Sequence, residues 1–323
     1  MNLTELAFEL KNYEGVSRKR PIADIVSIFK TVQPSLDSTI IDFGDDAAVI
    51  DIGNNSVMLF AADGIWDKLQ KKSSWWAGYV AVLVNINDIA AMGGKPIAMV
   101  NIMSSKSNED CKQMLEGIKE GISKFGVPMV GGHVHPDAPH NSISIAIIGI
   151  AKKDAIIRSD FAKEGDDIIV AIDLNGKFGS SPYAWDSTSF KDSDILKQQI
   201  SVMQKIGEQG LATAGKDISN PGIIGTLGML CESSGVGALV DIKKIPIPEG
   251  VNINQWLKVY PGIGYIISTN PTNSNKCLQL FNEVGITSSV VGSITSDLKL
   301  KIKNDEEKAI VFNFEVDCIT GIV

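Results

Sequence analysis

The chain has 323 residues, 44% of them hydrophobic and 21% charged, with 30 glycines and a net charge of −8. That composition describes a globular protein with room for one large or two medium domains. Its acidic balance argues against duplex DNA or an anionic membrane as a general partner.

Met1–Glu5 shows no apolar core behind a basic start, and no uninterrupted apolar run reaches about 18 residues, so a soluble, cytoplasmic protein is expected. Cys111, Cys231, Cys277 and Cys318 form no CxxC pair and read as reduced thiols. Residues 1–37 read as a peripheral extension, with Arg18-Lys19-Arg20 as a solvated face and a short amphipathic helix from Ile22 to Lys30.

A strand from Ile40 to Phe43 leads into Gly44-Asp45-Asp46, two adjacent carboxylates inside the apolar run "IIDFGDDAAVI". A second strand, Val57 to Ala62, ends in Asp63-Gly64. The stretch "WWAGYVAVLVNINDIAAMGGKP" (75–96) is apolar on nearly every face and predicts a buried helix, stopped by Gly93-Gly94 and Pro96. Asn85 and Asp88 share one face of it. Burying an isolated carboxylate is costly, so Asp88 needs a cation, a donor network or an opening to solvent.

Next come a strand, Ile97 to Met103, and a helix capped by Ser107, with Cys111, Met114, Leu115, Ile118, Ile122 and Phe125 on its apolar face and Gly126 at its end. The Gly-rich turn "GGHVHPDAPHN" holds Gly131, Gly132, His133, His135, His140 and Asp137 before a long strand from Ser142 to Ala151. It reads as backbone amides and imidazoles able to approach an anion closely, with structural loop histidines as the competing reading. A zinc site there lacks further ligands at a tested spacing.

A second domain is expected over 156–323, after a first over 38–155. Ile168 to Ile172 reads as a strand, and the polar stretch from Asp173 to Ser193 as a loop covering a ligand, with Lys177 either a phosphate contact or a turn lysine. In "KDISNPGIIGTLGMLCESSGVGA", Asn220 as N-cap and Pro221 as first helical residue predict a helix to about Ser233. Asp217, Ile218 and Ser219 then sit at a positive helix end suited to phosphate. Strands near 262–269 and 289–294 and a helix near 272–285 complete the chain.

There is no P-loop, no GxGxxG after a strand and no GxSxG turn. Five aspartates, Asp45, Asp46, Asp63, Asp88 and Asp217, stand instead at the ends of apolar elements. Carboxylates without paired thiols suit magnesium, which takes oxygen ligands and bridges to nucleotide phosphates.

The ordered set "GDDAAVI", "AADG", "NINDIAAMGGKPIAMV", "VGGH", "GKFGSS" and "DISNPG", spanning roughly residues 40 to 300, resembles the signature of the aminoimidazole ribonucleotide synthetase superfamily. That group includes thiamine-monophosphate kinase, selenophosphate synthetase and a hydrogenase maturation protein. Within it the chain looks most like the synthetase-related proteins, methanogenesis markers among them. The resemblance implies an α/β (α+β) two-domain fold whose N-terminal αβ domain forms a homodimer through its sheet. It implies ATP held with Mg2+ by Asp45, Asp46, Asp88 and Asp217, with Asp63 at the nucleotide. Beside that, Gly44, Gly131, Gly132, Ser219 and Asn220 read as backbone near the nucleotide, and Asp46 and His133 as catalytic, His133 because imidazole titrates near neutrality. The activity expected is a Mg-ATP-dependent phosphotransferase or an ATP-driven synthetase acting on a small molecule. A nucleotide-binding assembly factor with little turnover is the alternative, and a metal-dependent hydrolase centred on His133, His135 and Asp137 a third reading.

Three departures keep the named activities from carrying over. His133 stands where thiamine-monophosphate kinase has aspartate, and no cysteine precedes Cys111, whereas selenophosphate synthetases carry cysteine or selenocysteine near the N-terminus. Cys318 is followed by five residues, unlike the terminal reactive cysteine of the hydrogenase maturation protein.

Overall fold

The computed structural model describes residues 2–34, 37–179 and 181–322. Met1, Ser35 and Leu36 of the opening segment, Ser180 of the GKFGSS motif and Val323 lie outside the described residues.

Strands β1 (Thr39–Ile41), β2 (Ala48–Gly53), β3 (Ser56–Gly64), β4 (Lys95–Ser104), β5 (Met129–His135) and β6 (Ser142–Lys152) form one sheet in the order β1-β2-β3-β6-β4-β5. All pairs are antiparallel except β4 with β5. Strand alternation decides which side is covered: Val57, Leu59 and Ala61 of β3 and Ile143, Ile145 and Ile147 of β6 are buried. They pack on the helix Ser74–Ala91, buried on nearly every side as its sequence requires, whose Ser73 cap accepts the Trp76 N–H at 3.2 Å. The helix Asn108–Phe125 lies against it at close range, because a Cβ on Gly78 would come 2.0 Å from the Met114 carbonyl and one on Gly117 2.0 Å from that of Trp75. The other face of the sheet is open and apolar: Ile102 is 61% exposed, Phe60 47% and Ile150 45%.

In the second domain the strands are β7 (Asp167–Ile172), β8 (Lys177–Phe178), β9 (Trp185–Asp186), β10 (Ala214–Asp217), β11 (Gly237–Asp241), β12 (Gly264–Thr269), β13 (Thr287–Thr295), β14 (Lys299–Asn304) and β15 (Glu307–Asn313). Seven of them form a sheet in the order β10-β12-β7-β13-β11-β14-β15, while β8 and β9 pair separately. The unbroken apolar run of β7 belongs to a central strand covered on both faces. The helices Ser193–Glu208 and Ser274–Glu283 cover one face, continuous with the core around Ser74–Ala91; Leu3–Lys11 and Gly222–Ser234 cover the other. Among the described residues no helix is long and apolar enough to cross a membrane.

Several local readings change. The opening residues are not peripheral, since Leu3, Leu6, Ala7 and Leu10 recur at helical spacing and are buried against the second domain, where Lys11 pairs with Asp317 at 2.7 Å. His133 and His135 lie in β5 rather than in a turn, because β4 offers a parallel ladder for their backbone groups. Between Asp173 and Ser193 the described residues are pinned by their own polar groups, since Asp173 accepts from Lys191 and from Gln199 at 2.9 Å and the Trp185 indole donates to the Asp173 carbonyl at 2.8 Å, while Ser181, Pro182 and Tyr183 line a cavity. The sequence reading assigns no element to Ser193–Glu208, which is a helix.

One buried carboxylate fastens the C-terminal tail. Glu232 accepts the amide N–H groups of Ile319 at 2.7 Å, Thr320 at 2.8 Å and Gly321 at 3.3 Å. Glu232→Ala strands those donors and is expected to destabilise the protein by about 2–4 kcal/mol. Urea unfolding gives the loss, and amide exchange at Ile319, Thr320 and Gly321 should quicken first; unchanged exchange there would refute the clasp.

Candidate cation and phosphate site

Three segments drawn from both domains bring the aspartates together. Gly44, at φ +106°, turns the chain between β1 and β2, so Asp45 and Asp46 avoid the opposite-face arrangement of a continuing strand. Ile322 of the tail covers this turn, where a Cβ on Gly44 would stand 3.3 Å from its side chain. Asp88 lies on the last turn of the helix Ser74–Ala91, and Asp217 ends β10. Asp46, Asp88 and Asp217 each offer one carboxylate oxygen, all within 4.8 Å of one another.

Lys216 sits among them, buried with its ammonium bonded to Asp46 and 3.8 Å from Asp45. Asp45 is otherwise satisfied, since it accepts the Ser159 N–H at 2.8 Å and the Asp46 N–H at 2.9 Å. Asp46 Oδ2 and Asp217 Oδ1, by contrast, are buried without any hydrogen-bond partner. Buried polar atoms are rarely left so, and here both belong to the group of three.

The charges explain the imbalance. Burial, then the neighbouring Asp217, Asp63 and Asp46, raises Asp88 well above the usual carboxylate range. Burial and Asp46 push Asp217 up to about 8. Burial also raises Asp45 against the pull of Lys216, and raises Asp63 against that of Lys19. For Lys216 burial disfavours the ammonium, but Asp46 and Asp45 outweigh it and hold the proton on. One lysine among Asp45, Asp46, Asp88 and Asp217 leaves the site short of positive charge.

A cavity of about 210 Å³ opens beside Asp88 and Asp217, lined also by Asp63, Ser219, Asn220, Arg18, Lys19 and Tyr260. Asp63 is open to this space; its N–H donates to Asn85 Oδ1 at 3.2 Å. The arm carrying Arg18 and Lys19 seats closely because Gly15 has no side chain: a Cβ there would come 2.2 Å from the Asn220 carbonyl. Arg18 then lies 4.4 Å over the Trp66 ring. The cavity therefore faces acidic groups on one side and two cations on the other.

The structure departs from the sequence reading at four points. The helix after Asn220 begins at Gly222, with Pro221 at the cap position and no side-chain cap bond, so Asn220 serves as cavity wall and not as N-cap. Gly131, Gly132 and His133 do not join the aspartates of their own chain. Gly64, Ser144, Ile102 and His133 form one row across β3, β6, β4 and β5, which sets His133 roughly 14 Å along the sheet and on its open face. His133 and His135 stack edge to face at 4.5 Å, but among the described residues the group able to hold an ion is the three aspartates, without histidine. Arg18 and Lys19 line the cavity instead of a solvated face, and Lys216 enters the cluster unannounced by any local pattern except its place beside Asp217.

Comparison with known proteins gives two family matches along the chain. The description "AIR synthase related protein, N-terminal domain" matches residues 44–151, and "AIR synthase related protein, C-terminal domain" matches residues 163–304. An uncharacterised protein of Methanocaldococcus jannaschii is 49% identical over 323 residues, covering 99% of this chain and 100% of its own. The selenide, water dikinase of Aeromonas hydrophila is 29% identical over 238 residues, 70% of this chain and 68% of that protein. PurL of Thermotoga maritima, solved with ADP, superposes with a TM-score of 0.79 at 16% identity over 98% of this chain. This chain spans 51% of that PurL, and at such identity the likeness is one of fold.

Proposed function

The chain belongs to the AIR synthase related family, and from that premise we propose that it is a Mg-ATP-dependent phosphotransferase or ATP-driven synthetase acting on a small molecule. The observation that carries this is the group of Asp46, Asp88 and Asp217, within 4.8 Å and with two unpartnered buried oxygens, beside a cavity that also presents Arg18 and Lys19. The donor set is all oxygen and short of positive charge, which fits a hard divalent cation. Magnesium held there by Asp46, Asp88 and Asp217 would neutralise the triphosphate and polarise its terminal phosphoryl group.

The chain's own groups do the positioning. Asp45 acts through its neighbours, holding the Ser159 amide and sharing Lys216 with Asp46 behind the cavity wall formed by Asp88 and Asp217. Ser219, Asn220 and Asp63 supply polar wall for the nucleotide, and Arg18 and Lys19 supply cationic contacts to its phosphates, in place of the amide donors expected of the Gly131-Gly132 segment. Phosphoryl transfer rests on positioning and charge stabilisation, so no covalent nucleophile is required. The open apolar face of the first sheet suits a second copy of the chain, and a homodimer formed there would place His133 at the subunit contact.

The test is thermal and calorimetric. Asp88 and Asp217 hold protons in the folded protein that the unfolded chain has released above about pH 4, so the metal-free protein loses stability as pH rises through about 8. Magnesium must displace those protons. It should therefore raise the melting temperature by about 4 °C or more at about pH 8.5 and by roughly 1 °C at about pH 5.5, and ATP titrations should require it. Equal effects at both pH values, or ATP binding indifferent to magnesium, would count against the site.

A further inference from the structure

A second cavity, of about 360 Å³, shares Trp66, Leu69 and Tyr260 with the aspartate cavity. Its walls come from three places: Tyr13 of the opening arm, Trp66 to Lys72 of the first domain, and Pro182, Tyr183 and Tyr260 of the second. Four aromatic rings thus line one trough, with Tyr13 and Tyr183 edge to face at 5.5 Å. Aromatic walls at that density favour a planar ligand over a branched one.

The charges on the trough narrow the ligand further. Lys68 is held by Glu14 at 2.7 Å while lying 4.6 Å over the Trp66 ring, and Lys71 is held by Asp67 at 2.6 Å. Lys72 also lines the trough and makes no ion pair among the described residues. The trough therefore offers one uncommitted cation beside an aromatic floor. An adenine ring would satisfy the floor and leave the lysine unmatched.

From this geometry we infer that the trough is the subsite for the second substrate, and that this substrate is an aromatic organic anion. The inference rests on the proposed ATP-dependent activity, because a wall common to both cavities brings two ligands into the contact that group transfer requires. The trough volume, near the small end of the usual range for such sites, suits one or two fused rings with their substituents.

The probe is 1-naphthyl phosphate, titrated calorimetrically without nucleotide and again with saturating magnesium and the non-hydrolysable ATP analogue AMPPCP. Tyr183→Ala should weaken its binding about tenfold and Lys72→Ala, at an exposed position that leaves folding untouched, about fivefold. Uncharged 1-naphthol should bind the wild type more weakly than the phosphate, and equally weakly in Lys72→Ala. AMPPCP should leave the probe's affinity unchanged or tighter. Binding indifferent to both substitutions overturns the subsite, and displacement of the probe by AMPPCP overturns it by giving the trough to the adenine ring. Because the probe is read without nucleotide, failure of ATP binding would register separately as failure of the wider proposal.

Discussion

Asp88→Asn is expected to yield a metal-free protein that melts higher than the wild type and binds Mg-ATP on the order of a hundredfold more weakly, the loss of one charged ligand being about 3 kcal/mol. Burial raises the Asp88 carboxyl, and Asp217, Asp63 and Asp46 add to it. An amide keeps the shape and removes the repulsion. The stabilisation should be small below about pH 4, where Asp88 is neutral folded and unfolded alike, and should grow to about 1–2 kcal/mol as pH rises above that and the unfolded carboxyl ionises while the folded one keeps its proton. A site whose ligand destabilises its own fold is the familiar exchange of stability for function. Melting curves across pH without magnesium, set beside calorimetric titrations with it, decide the matter. If Asp88→Asn melts lower at every pH, the carboxylate is a structural acceptor and the cation site loses a member.

Lys216→Met should be the most damaging single change in the cluster, at about 3–5 kcal/mol. Methionine nearly matches the length of the lysine but leaves Asp46 and Asp45 buried without their cation. The lysine's ammonium is held above its ordinary range by those two carboxylates despite burial, so the loss persists to alkaline pH and shrinks only in acid, where the carboxylates take up protons. Two further measurements separate electrostatics from packing. Lys216→Met combined with Asp46→Asn should recover much of the loss, and magnesium should stabilise Lys216→Met more than it does the wild type. A loss under about 1 kcal/mol would show that water reaches the pair and screens it.

How much of this was legible in the sequence depends on whether the signal was local. The helix Ser74–Ala91 announces itself as an apolar run too long for a strand, and the isoleucines of β6 announce a covered strand face. Asp45, Asp46 and Asp88 stand out because carboxylates in apolar runs are costly unless something uses them. Asp217 was reachable from the strand-to-helix transition, although the helix begins later than Asn220 and Pro221 suggest. The β5 strand was not reachable: Gly131-Gly132 and the following histidines and proline carry turn chemistry, and only the parallel ladder with β4 overrides it. Once in a strand, His133 is sent by alternation to the open face, away from Asp63. Arg18 and Lys19 reach the cavity from an arm whose seat on Asn220 is a long-range contact. No periodicity in the arm itself could disclose it.

The cluster draws Asp46 and Asp88 from one domain and Asp217, with Lys216, from the other. Neither half holds the whole set, so two halves made as separate chains would assemble it only by docking through the hydrophobic core they share.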